Sequence, residues 1–529
     1  MTSQSGENNR PARYLLRTFA GWLFFFACFA TLYLATVQKG VGWQDSGGFQ
    51  AAALMPAREH VEGYAANGNL ALAHPAYVAL ARTSASLFHD SPARAVNAVS
   101  SICMAAAVAN VWLLSLLAFA RGSRLCAAVA ATLFGLSHMT WWMATIAEVY
   151  ATSAMMLSSE LLLFSCALRE WDCKRLSACG LSDHEVRGGA YILLAVITGL
   201  HLSIHQFAVL AWPIYAGTFI LQAIRREVSW KVVPMAVFAW TLGLLPLSSL
   251  LSARAQVTSL SEAIINFFVG NKNAFGEEVL SIGQRWRWYF PANMGLFSLN
   301  FLNPAWILAA IGLFVARSRF ANAVKLILAF HFAFFIRYLV PDQATFAVPS
   351  LMLLSLFAAD GIARIKLTAR VSALMLTAVT FVPPLAYIAV NAVLHRIRPA
   401  MISKHTPAPF QDEIRYRTLP WKHNENSAER FAEEFAKKTE PNAIMIADIT
   451  VANALKAYFR ANPTLLGHRK IFITLTDRGY AISFKALLER YRDRPWYVAR
   501  PFPGYVSDDE FLSYNYEQCS SLYRMKMKD

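Results

Sequence analysis

Ionisable side chains recur in this chain at the ends of long apolar runs, where burial decides whether a group keeps its proton. Asp45 follows an apolar run from Phe19 to about Ala35, within Gly42-Trp43-Gln44-Asp45-Ser46-Gly47-Gly48. A carboxylate there can be partly desolvated and basic enough to accept a proton, or can simply cap a helix in a Gly-rich turn. His74 precedes Pro75, which predicts an extended backbone suited to a fixed ligand or donor; the alternative is an ordinary interfacial histidine. The stretch from His138 to Tyr150 carries Trp141, Trp142 and Glu148. Tryptophans are membrane-interface anchors, but Glu148 lies beside an apolar stretch with no cation near it in sequence. His201 and His205 end a further apolar run. Arg337 closes the run Ala329 to Ile336, and an anionic partner accounts for it, either a phosphate or Asp342. Arg285 and Arg287 sit among Trp286, Trp288 and Tyr289, a basic-aromatic patch that fits lipid headgroups or plain snorkelling.

The elements that carry these residues follow from composition. The 529 residues are 56% hydrophobic and 16% charged, with mean hydropathy +0.36. Soluble domains are nearer a quarter charged, so a water-soluble enzyme, a disordered scaffold and a disulfide mini-protein are excluded. Apolar runs of membrane-spanning length recur: after the first, near 94–120, 125–138, 149–168, 189–204, 206–223, 232–251, 296–316, 323–339, 346–363 and 371–394, about eleven transmembrane helices. The net charge of +16 does not point to nucleic acid, because the basic residues fall in short clusters between these runs. With Arg10, Arg13 and Arg17 on the cytoplasmic side, each expected inner connection is basic, as at Arg121 and Arg124, at Arg225, Arg226 and Lys231, and at Arg364, Lys366 and Arg370. The outer segments are then 37–93, a turn at 139–148, another near 201–206, a loop at 252–295, a turn at 340–345 and the tail from 395. Every residue singled out above falls on this one rim. The seven cysteines are scattered, with neither metal spacing nor a disulfide framework.

The tail changes character. Strand-length apolar stretches at Ala443–Ala447, Lys470–Thr474 and Trp496–Ala499 alternate with amphipathic stretches near 426–438, 450–461 and 482–492. This predicts a small α/β domain with a parallel sheet, 395–529, outside the membrane and attached to a transmembrane domain, 1–394. It holds neither a Gly-rich phosphate loop nor a nucleophile elbow.

Taken in order, Asp45-Ser-Gly, His74-Pro75, Trp142 through Glu148-Val-Tyr150, Gly199-Leu200 with His205, and Tyr338 with Asp342 and Pro349 resemble the protein O-mannosyltransferase-like membrane family. That family belongs to the GT-C superfamily of polyprenyl-phosphate-sugar-dependent glycosyltransferases. The resemblance covers roughly residues 15–360. It departs at Gly48, where family members often have Glu, in a longer segment from Asp45 to His74, and in Ala76-Tyr77 after His-Pro. The resemblance implies Asp45 as catalytic carboxylate, and inversion at a sugar carried on a polyprenyl phosphate. His74, Glu148, Tyr150, His205 and Asp342 would then contact substrate, and Arg337, Arg285 and Arg287 the donor phosphate. The implied partners are that donor, a protein or glycan/lipid acceptor, and membrane lipids, with no nucleic acid. No cofactor is required by this scheme, although a divalent metal between Asp45 and Glu148 is compatible with it. A bacterial inner membrane, with the tail in the periplasm, suits an outer acceptor and the absence of disulfides. Two rival classes use the same composition: a transporter or lipid flippase, and a non-catalytic membrane anchor for the tail. Neither needs Asp45.

Overall fold

The eleven apolar runs are largely helical where they are described in the structure, a computed structural model that describes residues 10–119, 123–169, 182–270, 286–338, 340, 342–365, 368–397, 408–473, 487, 489–499 and 514–527. The membrane part runs α1 (Arg10–Thr36), α2 (Gln44–Ala53), α3 (Ala57–Asn67), α4 (Pro75–Leu87), α5 (Pro92–Leu114), α6 (Arg124–Gly135), α7 (His138–Thr145), α8 (Val149–Ala167), α9 (Asp183–Ile204) and α10 (Ala208–Ile224). It continues through α11 (Val232–Gly243), α12 (Leu245–Ala255), α13 (Leu260–Val269), α14 (Trp286–Ser298), α15 (Trp306–Val315), α16 (Arg319–Arg337), α17 (Val348–Ile365) and α18 (Ala369–Ile397). Among the described residues, seven helices are long and apolar enough to cross a membrane, and ten spans result if each of three bent pairs counts as one.

The bends were not in the sequence reading. Helices α6 and α7 meet at 64°, so the turn expected at 139–148 is largely helix. The break frees backbone carbonyls, and tyrosines take them: Tyr33 OH donates to Gly135 O at 2.7 Å and Tyr387 OH to Leu136 O at 2.8 Å. Buried carbonyls need such partners. Helices α11 and α12 bend by 68° at Pro246, which follows the first residue of α12, and the expected loop at 252–295 contains α13 and most of α14. The core lies among α1, α5, α6, α8 and α17, with Phe134, Phe164 and Phe357 fully buried. At the crossing of α15 and α17, Gly312 faces the Phe357 carbonyl and Gly361 the Leu308 carbonyl, so a Cβ at either would collide with backbone.

Beyond α18 come α19 (Glu413–Thr418), α20 (Ser427–Lys438), β1 (Ile444–Ala447), α21 (Ile449–Ala461), α22 (Pro463–Leu466), β2 (Lys470–Ile473), β3 (Trp496–Val498), β4 (Tyr514–Cys519) and β5 (Leu522–Met527). The sheet order is β2-β1-β3-β5-β4. Its first three strands are parallel, as read from the sequence, but β5 and β4 add an antiparallel hairpin, so the sheet is mixed. Of the helix expected at 482–492, residues 487, 489 and 490 are helical. The tail's core of Phe431, Phe435, Ile446, Val451 and Leu455 also takes in Val41, Trp43, Ala51 and Ala93 from the membrane part.

Candidate active site

Asp45 stands in the first turn of α2, where the helix N-terminus favours a carboxylate. Its N-cap position is Trp43, so Asp45 is not itself the cap. Gln44, just before it, is held at φ 51°, a left-handed conformation that non-glycine residues adopt rarely. The segment is fixed by a chain of buried amides. Gly42 N donates to Gln50 Oε1 (2.8 Å), Gln50 Nε2 to Asn97 Oδ1 (2.9 Å), and Asn97 Nδ2 to Gln38 O (2.9 Å). Sequence reasoning missed Gln38, Gln50 and Asn97; for Asn97 alone, an amide within the apolar run 94–120 was the signal available.

Asp45 is exposed, contrary to the partial desolvation expected of it. α2 begins at the surface, and burial falls instead on Glu148, in the break between α7 and α8. Burial, then the nearby Asp45 and Asp342, hold the Glu148 carboxyl well above the usual carboxylate range; contacts with Ser46 and the Val149 N–H act in the opposite direction. Its backbone is clamped by Ser100, whose Oγ accepts from Glu148 N at 3.0 Å and donates to Glu148 O at 3.1 Å. Asp45, Glu148 and Asp342 therefore form one acidic group, which Tyr150 also adjoins.

The histidines complete the wall. His74 and His205 stack with ring centroids 5.4 Å apart, and Tyr150 lies 5.5 Å from His205. His74 is not extended, as its proline neighbour suggested: φ is 43° and ψ 54°. That turn lets its carbonyl accept from Val78 N, opening α4, while its ring swings onto the end of α9. His74 Nδ1 lies 2.7 Å from Ile204 O; a carbonyl only accepts, so Nδ1 carries the proton and Nε2 is an acceptor. At His205 the order is reversed. Nδ1 accepts from Phe207 N at 3.1 Å, leaving Nε2–H to donate. Burial pushes the His74 imidazole down to about 4 and the His205 imidazole well below its usual value, with the other histidines adding to it, so both are neutral at pH 7. A stacked pair offering one acceptor and one donor matches hydroxyl groups, which both donate and accept.

The remaining expected residues are placed as follows. Asp342 and Arg337 are both half-buried, Arg337 as the last residue of α16. Arg285 lies outside the described residues, as does the Arg287 side chain. His138 is buried, its Nε2 3.2 Å from Thr418 O of the tail. His201 faces inward, its Nδ1 donating to Glu160 Oε1 at 2.8 Å. Among the described residues no group of three or more His, Cys, Asp or Glu side chains is placed to hold a metal ion.

Residues 62–228 match the family model for the protein O-mannosyl-transferase TMEM260 N-terminal domain. The resemblance read from the motifs stands. The fold itself is similar to solved structures over nearly the full chain. ArnT from Cupriavidus metallidurans, bound to undecaprenyl phosphate, superposes with a TM-score of 0.57 at 12% identity, over 96% of this chain and 98% of that one. Its apo form gives 0.57 at 14% identity with the same coverage. The archaeal oligosaccharyltransferase AglB from Archaeoglobus fulgidus, in complex with an inhibitory peptide and a dolichol-phosphate, gives 0.50 at 11%, over 91% of this chain and 69% of that one. No curated protein matches in sequence. The chain is an integral membrane protein with the GT-C fold.

Proposed function

We propose that the protein is a membrane glycosyltransferase that moves a monosaccharide from a polyprenyl-phosphate donor to an acceptor hydroxyl at the outer face of the membrane. The observation that carries this reading is the rim group of an exposed Asp45, a buried Glu148 and the stacked pair His74 and His205, on a GT-C fold. Asp45 takes the proton of the acceptor hydroxyl. The acceptor oxygen bonds to the anomeric carbon from the face opposite the phosphate, the carbon–oxygen bond to phosphate breaks with its electron pair, and configuration inverts. A phosphate leaves without needing a proton, so one base is enough.

The other residues bind. His74 and His205 hold sugar hydroxyls as acceptor and donor, and Tyr150 and Asp342 border the same space. Glu148, its carboxyl held well above the usual carboxylate range by burial, donates a hydrogen bond there while it keeps its proton, instead of adding a further negative charge. Arg337 meets the charge that builds on the departing phosphate. An apolar groove of about 630 Å³ lined by Phe297, Leu313, Phe332 and Leu354 runs along α16 between Lys325 and Phe332, and suits the isoprenoid tail. Residues 1–394 form the catalytic membrane domain and 395–529 an extracytoplasmic domain, with the N-terminus in the cytoplasm of a bacterial cell.

Mass spectrometry of extracytoplasmic proteins and glycolipids from cells carrying the wild-type chain, Asp45→Asn or no copy tests the reading. A sugar-sized mass increment should appear with wild type alone, since loss of a general base costs about 10²–10⁴-fold. Identical profiles, with both proteins folded in the membrane, would overturn it.

A further inference from the structure

Helix α2 is a poor helix by its own sequence. It has ten residues, QDSGGFQAAA, with two adjacent glycines in its first half. Short helices are marginal in water, and glycine weakens them further. What holds it is the tail. A Cβ at Gly47 would lie 2.9 Å from both Ala454 N and Asn453 C, and one at Gly48 would lie 2.9 Å from Asn453 Nδ2. Gly47 thus admits the backbone of α21 directly onto α2, and Gly48 makes room for the Asn453 side chain. Three polar contacts bracket the crossing. Trp43 Nε1 donates to Ser427 Oγ at 2.7 Å, just before α2 begins. Arg460 Nη1 donates to Ala51 O at 2.8 Å near its end, where a cation is favoured. Between them, Asn453 Nδ2 donates to Gln44 O at 3.1 Å.

The last of these contacts is the most specific. The Gln44 carbonyl belongs to the left-handed residue at φ 51° and to the peptide unit that leads directly into Asp45. A left-handed non-glycine residue persists only when its surroundings over-determine it. We propose that the C-terminal domain is a working part of the rim site, and that Asn453 is a positioning residue: its side-chain amide holds Gln44, and through Gln44 the carboxylate of Asp45. The domain therefore acts on the catalytic helix itself, in addition to any acceptor it recruits. This rests on the reading of Asp45 as the base.

Two full-length variants and two readouts test it. Asn453→Ala removes the amide. Gly48→Ala leaves the amide present but pushes it aside, while improving the helix propensity of α2. Transfer measured by the mass increment should fall about tenfold or more in both, because a displacement of about 1 Å at a reacting group costs up to about 10²-fold. Amide hydrogen exchange over residues 43–50 should quicken in Asn453→Ala and leave the α5 and α8 peptides unchanged. A merely structural role predicts the opposite for Gly48→Ala, a more stable α2 with full activity. Unchanged transfer and unchanged exchange in Asn453→Ala would overturn the proposal. If the wild-type chain itself transfers no sugar, the transferase reading fails, while the exchange result still decides whether Asn453 holds the Asp45 segment.

Discussion

Two ionisable clusters lie along α8 and α9, and they are built on opposite terms. Inside the bundle, Glu160 and His201 are both fully buried. His201 Nδ1 donates to Glu160 Oε1 at 2.8 Å, its Nε2 lies 2.7 Å from Ser153 Oγ, and Tyr215 OH donates to Glu160 Oε2 at 3.3 Å. Each charge or dipole meets its complement within the chain. At the rim, Glu148 is also buried, yet the charges that reach it are those of two more carboxylates, Asp45 and Asp342. The inner cluster locks α8 against α9. The outer one gathers three carboxylates about a single buried position. Burial alone therefore does not mark a site; unfavourable company does.

The largest expected effect belongs to the inner cluster. Removing one partner strands the other in the bundle interior, so Glu160→Ala or His201→Ala should each lose about 3–5 kcal/mol of stability, read as a drop in Tm of the detergent-solubilised protein. Replacing both at once by leucine should cost less than either single change, since no ionisable group is then stranded and only the weaker Ser153 and Tyr215 hydroxyl contacts are lost. Single variants that melt with the wild type but transfer nothing would move this cluster into the chemistry and dissolve the contrast.

How much of that contrast could be read from the sequence depends on what each feature needs. The apolar runs needed only composition, and the grouping of Asp45, His74, Glu148, His205 and Asp342 on one rim followed from alternating the runs across a membrane. Parallel strands β1, β2 and β3 showed as short apolar stretches. The hairpin of β4 and β5 was present as alternation in Tyr514–Cys519 and Leu522–Met527, but its turn is Ser520-Ser521 with Ser520 at φ 66°, without the glycine or asparagine that announces a hairpin. Hydropathy does not see the three bends, because a broken helix is as apolar as a straight one. Which carboxylate is buried was equally hidden: it depends on α2 surfacing beside the tail, a contact between residues some four hundred positions apart in sequence, as between Asn453 and Gln44.

Glu148 offers a pH-dependent way to sharpen the comparison. Its folded carboxyl holds a proton well above the ordinary value of 4.5. Between that value and the raised one the folded state binds more protons than the unfolded state, so stability falls as pH rises. Glu148→Gln keeps the neutral shape at all pH values. Its Tm should therefore decline less than that of the wild type as pH rises from the ordinary carboxylate value of 4.5. Asp45→Asn should shift the wild-type decline to lower pH, because one of the repelling charges is gone. Parallel Tm curves for all three proteins would mean that Glu148 is not held protonated, and the acidic group would lose its distinction from the satisfied inner pair.

The smallest effect is on the acid side and belongs to His74. Burial holds its imidazole down to about 4 against an ordinary 6.5, so here the folded state binds fewer protons than the unfolded one. The stability this contributes is fully present above pH 6.5 and is lost as pH falls from there toward 4. His74→Asn suits the site's backbone, since asparagine tolerates the left-handed φ of 43°, and it carries an amide able to donate to Ile204 O. It has nothing to titrate. The variant should match the wild type in Tm at pH 7 and exceed it modestly at pH 5, with His205 still contributing to the acid loss that remains. If His74→Asn instead falls with pH as steeply as the wild type, His74 takes up its proton without cost, and the neutral acceptor that the stacked pair presents to a sugar hydroxyl is lost from the site.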